Sequence, residues 1–317
     1  MMAAWSDNIR KVEPYVPGEQ PKDTNVIKLN TNENPYGPSP RVAEVIQNPD
    51  LLRLYPDPTA SQLVDVIAEY HGVDSSQVFV GVGSDDVLAM SFLTFFNSDK
   101  PILFPDITYS FYDVWAELFR IPYERPALDE NFRLVKEDYY RENGGVVFPN
   151  PNAPTGIYEN LANVEDIISH NGDSIVIVDE AYIDFGGKSA LELIDKYDNL
   201  VVVRTFSKSR SMAGLRIGYA ISNPILIKAL NDVKYSYNSY TMNRPSIIMG
   251  TESVKDDAYF KAMVAKVVAT RTRFVESIRP LGFTCLESSA NFVFATHENI
   301  PAKELFEAAK KAHILSL

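Results

Sequence analysis

The chain has 317 residues, of which 45% are hydrophobic and 23% charged, and its formal net charge is −12. A chain of this length can bury a large core, and length alone predicts two domains. The acidic balance argues against nucleic acid and anionic membranes as partners, because both bind basic surfaces.

Cysteine and histidine content limits the redox and metal chemistry. A single cysteine, Cys285, excludes an internal disulfide and fits a reducing, cytoplasmic compartment. The four histidines show no metal-ligand spacing, so no metal site is predicted. Residues 1–11 contain no apolar segment typical of a signal peptide, and the longest nearly apolar run, Val87–Phe96, is too short to cross a bilayer.

The first predicted elements in chain order are an extended arm and a helix. The region up to about Pro40 is polar and rich in proline and asparagine, which predicts an N-terminal arm over residues 1–29. Val26–Leu29 within it indicates docking on the rest of the protein. A helix is then predicted in "YPDPTASQLVDVIAEYHGV", with Asp57 as its N-cap and Gly72 at its C-terminal end.

A large α/β domain is predicted over residues 30–250. From Gln77 to about Ser222, short apolar runs alternate with helical patterns, and many of the runs are hydrophobic on both faces. That pattern is typical of strands covered by helices on both sides. It predicts a three-layer α/β/α domain with a mostly parallel, seven-stranded sheet formed by "VFVGV", "PILF", "IPYE", "GVVF", "SIVIVDE", "LVVVRTF" and "RIGYAI".

A smaller α+β domain is predicted over residues 251–317. A long amphipathic helix spans roughly Asp257–Arg279, and two strand-like pieces, "FTCLE" and "NFVFAT", follow it. Another helix is predicted in "PAKELFEAAKKAH", and a further strand could begin at Ile314–Leu317.

Four motifs at the ends of predicted strands carry the candidate chemistry, because sites in such folds form at the carboxyl ends of strands. In the first, "GVGSDDVLAM", glycines lead from a strand into a helix, and the free amides at the helix start, with Ser84, can bind a phosphate. The alternative is a plain strand–turn–helix. A dinucleotide site is disfavoured, because the third glycine of its fingerprint is absent.

The second and third motifs supply amides and a carboxylate. The loop "FPNPNAPTGIY" is stiffened by three prolines, and its Asn150 and Asn152 either bond the backbone in turns or direct an amide at a ligand. The strand in "SIVIVDEAYIDF" ends in Asp179, Glu180 and Tyr182. A buried carboxylate needs a partner, which is either structural or a cationic ring nitrogen of a ligand.

The fourth motif is "TFSKSRSMAGLRIG", in which Lys208 follows a buried strand and Arg216 lies eight residues later. Each could be an ordinary loop residue, but a lysine placed by a buried strand can also form a Schiff base. Together the four motifs match the groups of one ligand, pyridoxal 5′-phosphate (PLP), which has a phosphate, an aldehyde, a pyridine nitrogen and a phenolic oxygen.

In this order the motifs resemble those of the fold-type I PLP-dependent aminotransferases, which have the aspartate-aminotransferase fold, and most closely those of the histidinol-phosphate aminotransferases. The resemblance covers nearly the whole chain. It is carried by "LNTNENPYGPSP", "YPDP", "GSDDVL", "PNPNAPTG", "VDEAYIDF", "TFSKSRSMAGLRIGY" and "SANFVF".

The resemblance implies roles for individual residues. Lys208 would bind the cofactor aldehyde and act as the base, Asp179 would keep the pyridine nitrogen protonated, and Tyr182 would hydrogen-bond the phenolic oxygen. Tyr55 would reach the phosphate in a neighbouring subunit, which implies a homodimer. The remaining implied contacts are Tyr109 on the ring, Ser84, the amide of Asp85, Ser207 and Arg216 at the phosphate, and Tyr15 and Asn291 at the substrate.

The implied reaction is transamination of L-histidinol phosphate with 2-oxoglutarate, in cytoplasmic histidine biosynthesis. Its partners would be small-molecule amines and 2-oxo acids. The alternatives are a threonine-phosphate decarboxylase or an aromatic aminotransferase of the same fold, a PLP-binding chain without activity, and a nicotinamide-dependent oxidoreductase.

The chain departs from the family pattern in two places. Family members often carry asparagine immediately before the Pro-Thr-Gly of the loop, where it bonds the phenolic oxygen, and this position is Ala153 here. We expect Asn152 to replace it, or Tyr182 to make that contact alone. Members also continue beyond "KKAHILSL" in a segment whose arginines bind substrate, so a shortened small domain without these arginines is expected.

Overall fold

The computed structural model describes Arg10, residues 12–16, Glu19, Pro21, residues 25–45 and residues 53–316. In this part of the chain the helices are α1 (Pro40–Ala43), α2 (Ser61–His71), α3 (Ser84–Phe95), α4 (Phe111–Phe119), α5 (Leu161–His170), α6 (Pro224–Tyr237), α7 (Arg244–Lys255), α8 (Asp257–Ile278) and α9 (Ala302–Lys311). The strands are β1 (Ile27–Lys28), β2 (Val78–Gly81), β3 (Ile102–Leu103), β4 (Tyr123–Glu124), β5 (Gly145–Pro149), β6 (Val176–Asp179), β7 (Leu200–Thr205), β8 (Gly218–Ile221), β9 (Phe283–Cys285), β10 (Ala295–His297) and β11 (Ile314–Leu315). None of these helices combines the length and the apolar character needed to cross a lipid bilayer.

A seven-stranded sheet forms the centre of the fold. Its strand order is β2-β8-β7-β6-β5-β3-β4, and neighbouring strands are parallel except at β8, which runs antiparallel to both β2 and β7. In β6, Val176 and Val178 join the core beneath α2, α5 and α7, whereas Ile177 joins the core beneath α3, α4 and α6. The predicted three-layer α/β/α domain with its mostly parallel sheet is therefore confirmed.

Two small strand pairs lie outside this sheet. The strands β9 and β10 pair in antiparallel fashion after α8, and α9 and β11 follow them. The arm docks through β1, which pairs in parallel with β11: the amides of Ile27 and Leu29 donate to the carbonyls of His313 and Leu315 at 2.8 Å. The predicted docking of Val26–Leu29 is thus confirmed, while the domain boundary at residue 250 stays a prediction.

The start of α2 differs from the prediction that Asp57 is its N-cap. Ala60 holds the N-cap position in the left-handed conformation (φ 50°), and the helix begins at Ser61. The carboxylate of Asp57 instead accepts hydrogen bonds from the amides of Thr59 and Ser61 at 2.9 and 2.8 Å. The tight turn before the helix brings this carboxylate to the first helical amide from outside the helix. Gly72 ends the helix as predicted.

A buried ion pair joins the carboxyl ends of β6 and β7. Glu180 is 2% exposed, and its carboxylate accepts from Nε of Arg204 at 3.0 Å. The Ser189 hydroxyl and the Ala190 amide each donate to the same carboxylate at 2.6 Å. Glu180 is therefore the structurally paired carboxylate of its motif.

Replacing Glu180 with glutamine is expected to lower the free energy of unfolding by about 2 kcal/mol, because the buried Arg204 guanidinium then loses its nearer carboxylate and keeps the one of Asp184, at 3.6 Å. Urea denaturation measures the change. The matched control is Asp232→Asn, which breaks an exposed pair with Lys228 and should leave stability nearly unchanged. Equal stability of the Glu180 variant and the wild type would contradict the prediction.

Candidate active site

Lys208 lies in the loop after β7, close to the end of β6. Its Nζ donates a hydrogen bond to the carbonyl oxygen of Thr31 at 3.0 Å and lies 5.6 Å from the centroid of the Tyr182 ring. The backbone carbonyl of Lys208 accepts from the Asn34 side-chain amide at 3.1 Å. Among the described residues no carboxylate is within ion-pair distance of the lysine amine. The amine is therefore positioned without being neutralised by a fixed counter-charge.

Asp179 is the last residue of β6, and it is 4% exposed. Its carboxylate accepts hydrogen bonds from the Tyr112 hydroxyl at 3.0 Å and the Ala181 amide at 3.2 Å. Burial raises the pKa of Asp179 to about 7. No cationic side chain of the described residues pairs with it, in contrast to the neighbouring Glu180. This carboxylate suits a cationic group supplied by a ligand.

Tyr182 lies beside Lys208 and is 8% exposed. Its hydroxyl accepts a hydrogen bond from Nδ2 of Asn32 at 3.1 Å, and its ring packs edge-on against Phe292. The side-chain amide of Asn291 donates to the Asn32 carbonyl at 2.9 Å. Sequence reasoning assigned no role to Asn32, although its motif, "LNTNENPYGPSP", was among those that carried the family resemblance.

Two glycines bring the N-terminus of α3 close to β8. Gly83 precedes α3 with φ 87°, and a Cβ on Gly218 would overlap the backbone of Gly83 and Ser84. A Cβ on Gly83 would in turn overlap the Arg216 guanidinium. The free amides at the start of α3 and the guanidinium therefore lie together, and this donor set suits a phosphate.

The side chain of Asp85 belongs to the same cluster. Its carboxylate forms an ion pair with Arg216 at 3.0 Å and accepts from the Tyr109 hydroxyl at 2.8 Å. Arg216 also donates to the Ser207 hydroxyl at 3.4 Å. Burial raises the pKa of Tyr109 well above its usual value, so the phenol stays neutral and donates. Sequence reasoning gave Asp85 a role only through its amide and missed the carboxylate.

Comparison with known proteins assigns the chain to a family. Residues 24–315 match the model of the class I and II aminotransferases. The chain belongs to this family. The histidinol-phosphate aminotransferase of Clostridium beijerinckii is 50% identical over 317 residues, which cover 99% of this chain and 88% of that relative. That of Pseudomonas putida is 51% identical over 307 residues, which cover 96% and 88% of the two chains.

A solved aminotransferase structure supports the fold independently. Histidinol-phosphate aminotransferase from Sinorhizobium meliloti, in complex with pyridoxal-5′-phosphate, superposes with a TM-score of 0.84 at 22% identity. The superposition covers 92% of this chain and 82% of that one. The predicted α/β fold and the predicted aminotransferase family are thus both confirmed.

The donor set of this aminotransferase fits PLP, the cofactor that its family suggests. The amine of Lys208 suits the aldehyde, and the buried carboxylate of Asp179 lacks a protein cation and suits a protonated ring nitrogen. Because Gly83 has no side chain, the Arg216 guanidinium lies against the first amides of α3, and these groups together suit the phosphate. The aldehyde, the ring nitrogen and the phosphate of the cofactor therefore each have a matching group at one edge of the sheet.

The Asn152 side chain of the aminotransferase links its loop to the segment that precedes α4. Its two amide hydrogens are donated to the Ile107 carbonyl at 3.0 Å and the Thr155 hydroxyl at 3.1 Å. Its oxygen accepts from the Thr108 hydroxyl at 3.3 Å. The bonds to Ile107 and Thr108 connect two loops, and none of the three goes to the backbone of its own turn. The role of Asn152 as replacement for an asparagine at Ala153 stays a prediction.

Of the remaining predicted residues, two are connected to the site and one lies at the surface. Tyr15 stacks on Phe111 with 4.1 Å between ring centroids, and Phe111 contacts Tyr109 in turn. Asn291 reaches the site through Asn32, as described above. Tyr55 is 78% exposed and lies at the surface. The structure therefore brings Tyr15 and Asn291 towards the site but not Tyr55.

Gly83→Ala is expected to weaken PLP binding about tenfold or more, because the new Cβ displaces the Arg216 guanidinium and φ 87° disfavours a side chain. Titration of the apoprotein with PLP, followed by absorbance, measures the dissociation constant. The control is Gly214→Ala, since a Cβ there meets no atom within 4 Å. Equal affinities for the two variants would refute the predicted cradle.

Proposed function

We propose that this aminotransferase uses PLP to transfer the amino group of L-histidinol phosphate to 2-oxoglutarate, as a step of histidine biosynthesis. The products are imidazole acetol phosphate and glutamate. Three features carry the proposal for the chemistry: the positioned amine of Lys208, the buried carboxylate of Asp179, which has no cationic partner among the described residues, and the close contact of Gly83 with Arg216. Identity of about 50% to curated histidinol-phosphate aminotransferases supports the choice of substrate.

PLP, when bound, supplies an electron sink that makes the proton on the substrate's Cα acidic. Lys208 would hold the cofactor through its aldehyde group, and the lysine amine would move the Cα proton of the substrate as a general base. Asp179 supplies the negative charge that retains the proton on the ring nitrogen. Tyr182 would donate a hydrogen bond to the phenolic oxygen.

The phosphate is held by groups that the fold already brings together. We assign this role to Arg216, Ser207, Ser84 and the Asp85 amide, and we place Tyr109 against the cofactor ring. The Asp85 carboxylate orients the Arg216 guanidinium through the 3.0 Å ion pair, so the positive charge is in place before the anion binds. Tyr15 and Asn291 are the proposed substrate contacts.

The proposal extends to a homodimer in the cytoplasm. Tyr55 would reach the phosphate of the neighbouring subunit, and its 78% exposure supports a role outside its own subunit. The exposed Tyr240 lies beside Tyr55, with 4.8 Å between the centroids of the two rings. Such a group of exposed aromatic side chains is typical of a protein interface. We also propose that residues 30–250 bind the cofactor and that residues 251–317 form the smaller domain.

An amine panel tests the proposed function. The PLP-loaded protein is incubated with 2-oxoglutarate and L-histidinol phosphate, O-phospho-L-threonine or L-phenylalanine, and glutamate and carbon dioxide are measured. We expect glutamate with L-histidinol phosphate as the preferred donor. Carbon dioxide from O-phospho-L-threonine would favour a decarboxylase, and glutamate mainly from L-phenylalanine an aromatic aminotransferase. Bound PLP without either product would contradict catalysis by this chain.

A further inference from the structure

We propose that Asn32 is a positioning residue that directs the hydroxyl proton of Tyr182 at the cofactor. It would compensate for the asparagine that the family often carries where Ala153 stands here. The inference rests on the proposed function, in which Tyr182 donates to the phenolic oxygen of PLP.

The hydrogen bond between the two side chains sets the direction of the phenol. Nδ2 of Asn32 lies 3.1 Å from the Tyr182 oxygen, and an amide nitrogen only donates. The oxygen of Tyr182 therefore accepts here, and its own proton is left for another acceptor. The donated bond also polarises the O–H group and makes it a stronger donor.

Asn32 is itself held in a defined orientation. Its backbone has φ 54°, a left-handed conformation that asparagine tolerates better than most residues. The Asn291 amide donates to its carbonyl at 2.9 Å, and the preceding residue, Thr31, accepts from the Lys208 amine at 3.0 Å. The backbone of residues 31 and 32 is thus held by two hydrogen bonds. Asn32 can therefore orient the Tyr182 hydroxyl without touching the cofactor.

No other amide of the described residues bonds this hydroxyl. Asn152, the replacement expected from the sequence, donates both of its amide hydrogens to Ile107 and Thr155. Asn34 donates to the backbone carbonyls of Lys208 and Ser209. Of these three asparagines, Asn32 is therefore the one that can influence the phenolic oxygen, through its hydrogen bond to Tyr182.

The expected effect is on the proton shared between the nitrogen that joins Lys208 to the cofactor and the cofactor's phenolic oxygen. A hydrogen bond donated to this oxygen stabilises its anionic form and lowers the pH at which the proton is lost. Weakening the donor raises the midpoint of the absorbance titration. Loss of one hydrogen bond to a charged group raises this midpoint by roughly one pH unit. Removal of the Asn32 amide, which acts on the cofactor indirectly through Tyr182, should raise it by about half of that.

The test is a double-mutant cycle on the PLP-loaded protein. Asn32→Gly removes the donor and tolerates the positive φ, and Tyr182→Phe removes the hydroxyl. We expect Asn32→Gly to raise the titration midpoint in the wild-type background and to leave it unchanged in the Tyr182→Phe background. Asn97→Gly, at an exposed asparagine outside the site, is the control and should not move the midpoint.

The outcomes separate this inference from the proposed function. If Asn32→Gly leaves the midpoint unchanged, or shifts it equally with and without the Tyr182 hydroxyl, Asn32 does not act through Tyr182 and the inference is overturned alone. If wild-type protein shows no cofactor absorbance that depends on Lys208, the proposed function and the inference are both overturned. Circular dichroism of the wild type, the two single variants, the double variant and the control confirms that each is folded.

Discussion

Lys208→Ala is expected to lower kcat/KM for amino-group transfer by a factor of about 10⁴ or more, because it removes both the attachment point and the general base. The fold should be unaffected, since the side chain makes one hydrogen bond, to the Thr31 carbonyl, and belongs to no ion pair among the described residues. Steady-state assay of glutamate formation measures the loss. Absorbance shows whether PLP is still attached covalently.

The control for this variant is Lys188→Ala, which removes an exposed lysine and should retain full activity. A second arm adds methylamine to the Lys208 variant, because a small amine can partly replace a missing base. Activity of the Lys208 variant within tenfold of wild type would refute the proposed role of the lysine. Loss of thermal stability in this variant alone would point to a structural role.

Asp179→Asn is expected to have effects of opposite sign on activity and stability. Its activity should fall by about 10²–10³, because an amide cannot supply the negative charge that stabilises a protonated ring nitrogen. The cofactor-free variant should nevertheless be more stable than wild type at pH 8, by on the order of 3 kcal/mol. The reason is that the wild-type carboxylate is ionised while 4% exposed and has no cationic partner among the described residues.

The pH dependence of this stability difference follows from the raised pKa. Burial raises the pKa of Asp179 to about 7 in the folded state, whereas an unfolded aspartate titrates near 4. Between these values the folded protein holds the proton that the unfolded chain loses, so wild-type stability falls as pH rises from about 4 to about 7. The advantage of the asparagine variant should grow over the same window and then level off.

Urea denaturation of the apoprotein at pH 5 and pH 8 checks this dependence. Asp173→Asn, which changes an exposed aspartate, provides the control for the loss of one negative charge. A variant that is destabilised equally at both pH values would contradict the argument, as would one that keeps more than a tenth of wild-type activity. Added PLP should reduce the stability difference, because the ligand stabilises the wild-type carboxylate preferentially.

The central residues of the candidate site could be predicted because they depend on local patterns. Asp179 and Lys208 each follow an apolar strand, and adjacent parallel strands end at the same edge of a sheet. The strands β6 and β7 are neighbours, so Asp179 and the loop that carries Lys208 lie at the same edge of the sheet. The alternation of apolar runs and helical patterns likewise predicted the three layers.

Other contacts could not be predicted from local patterns. The hydrogen bond between Asn32 and Tyr182 joins residues 150 positions apart, and no periodicity or spacing relates them. The carboxylate of Asp85 pairs with Arg216 across 131 positions, and the helix dipole alone already favours an acidic residue at a helix start. The helix start after Asp57 was misplaced because the left-handed conformation of Ala60 has no signature in that residue type.

The pairing of β1 with β11 links access to the Lys208 amine to the position of the C-terminal elements α9 and β11. Leu29, hydrogen-bonded to Leu315, is separated by Asn30 alone from Thr31, whose carbonyl covers the amine of Lys208. Two residues of extended chain span at most about 7 Å, so this connection has little slack. A larger displacement of α9 and β11 must either break the pairing or lift Thr31 from the amine. As long as the pairing holds, moving α9 and β11 beyond this reach therefore uncovers the lysine amine.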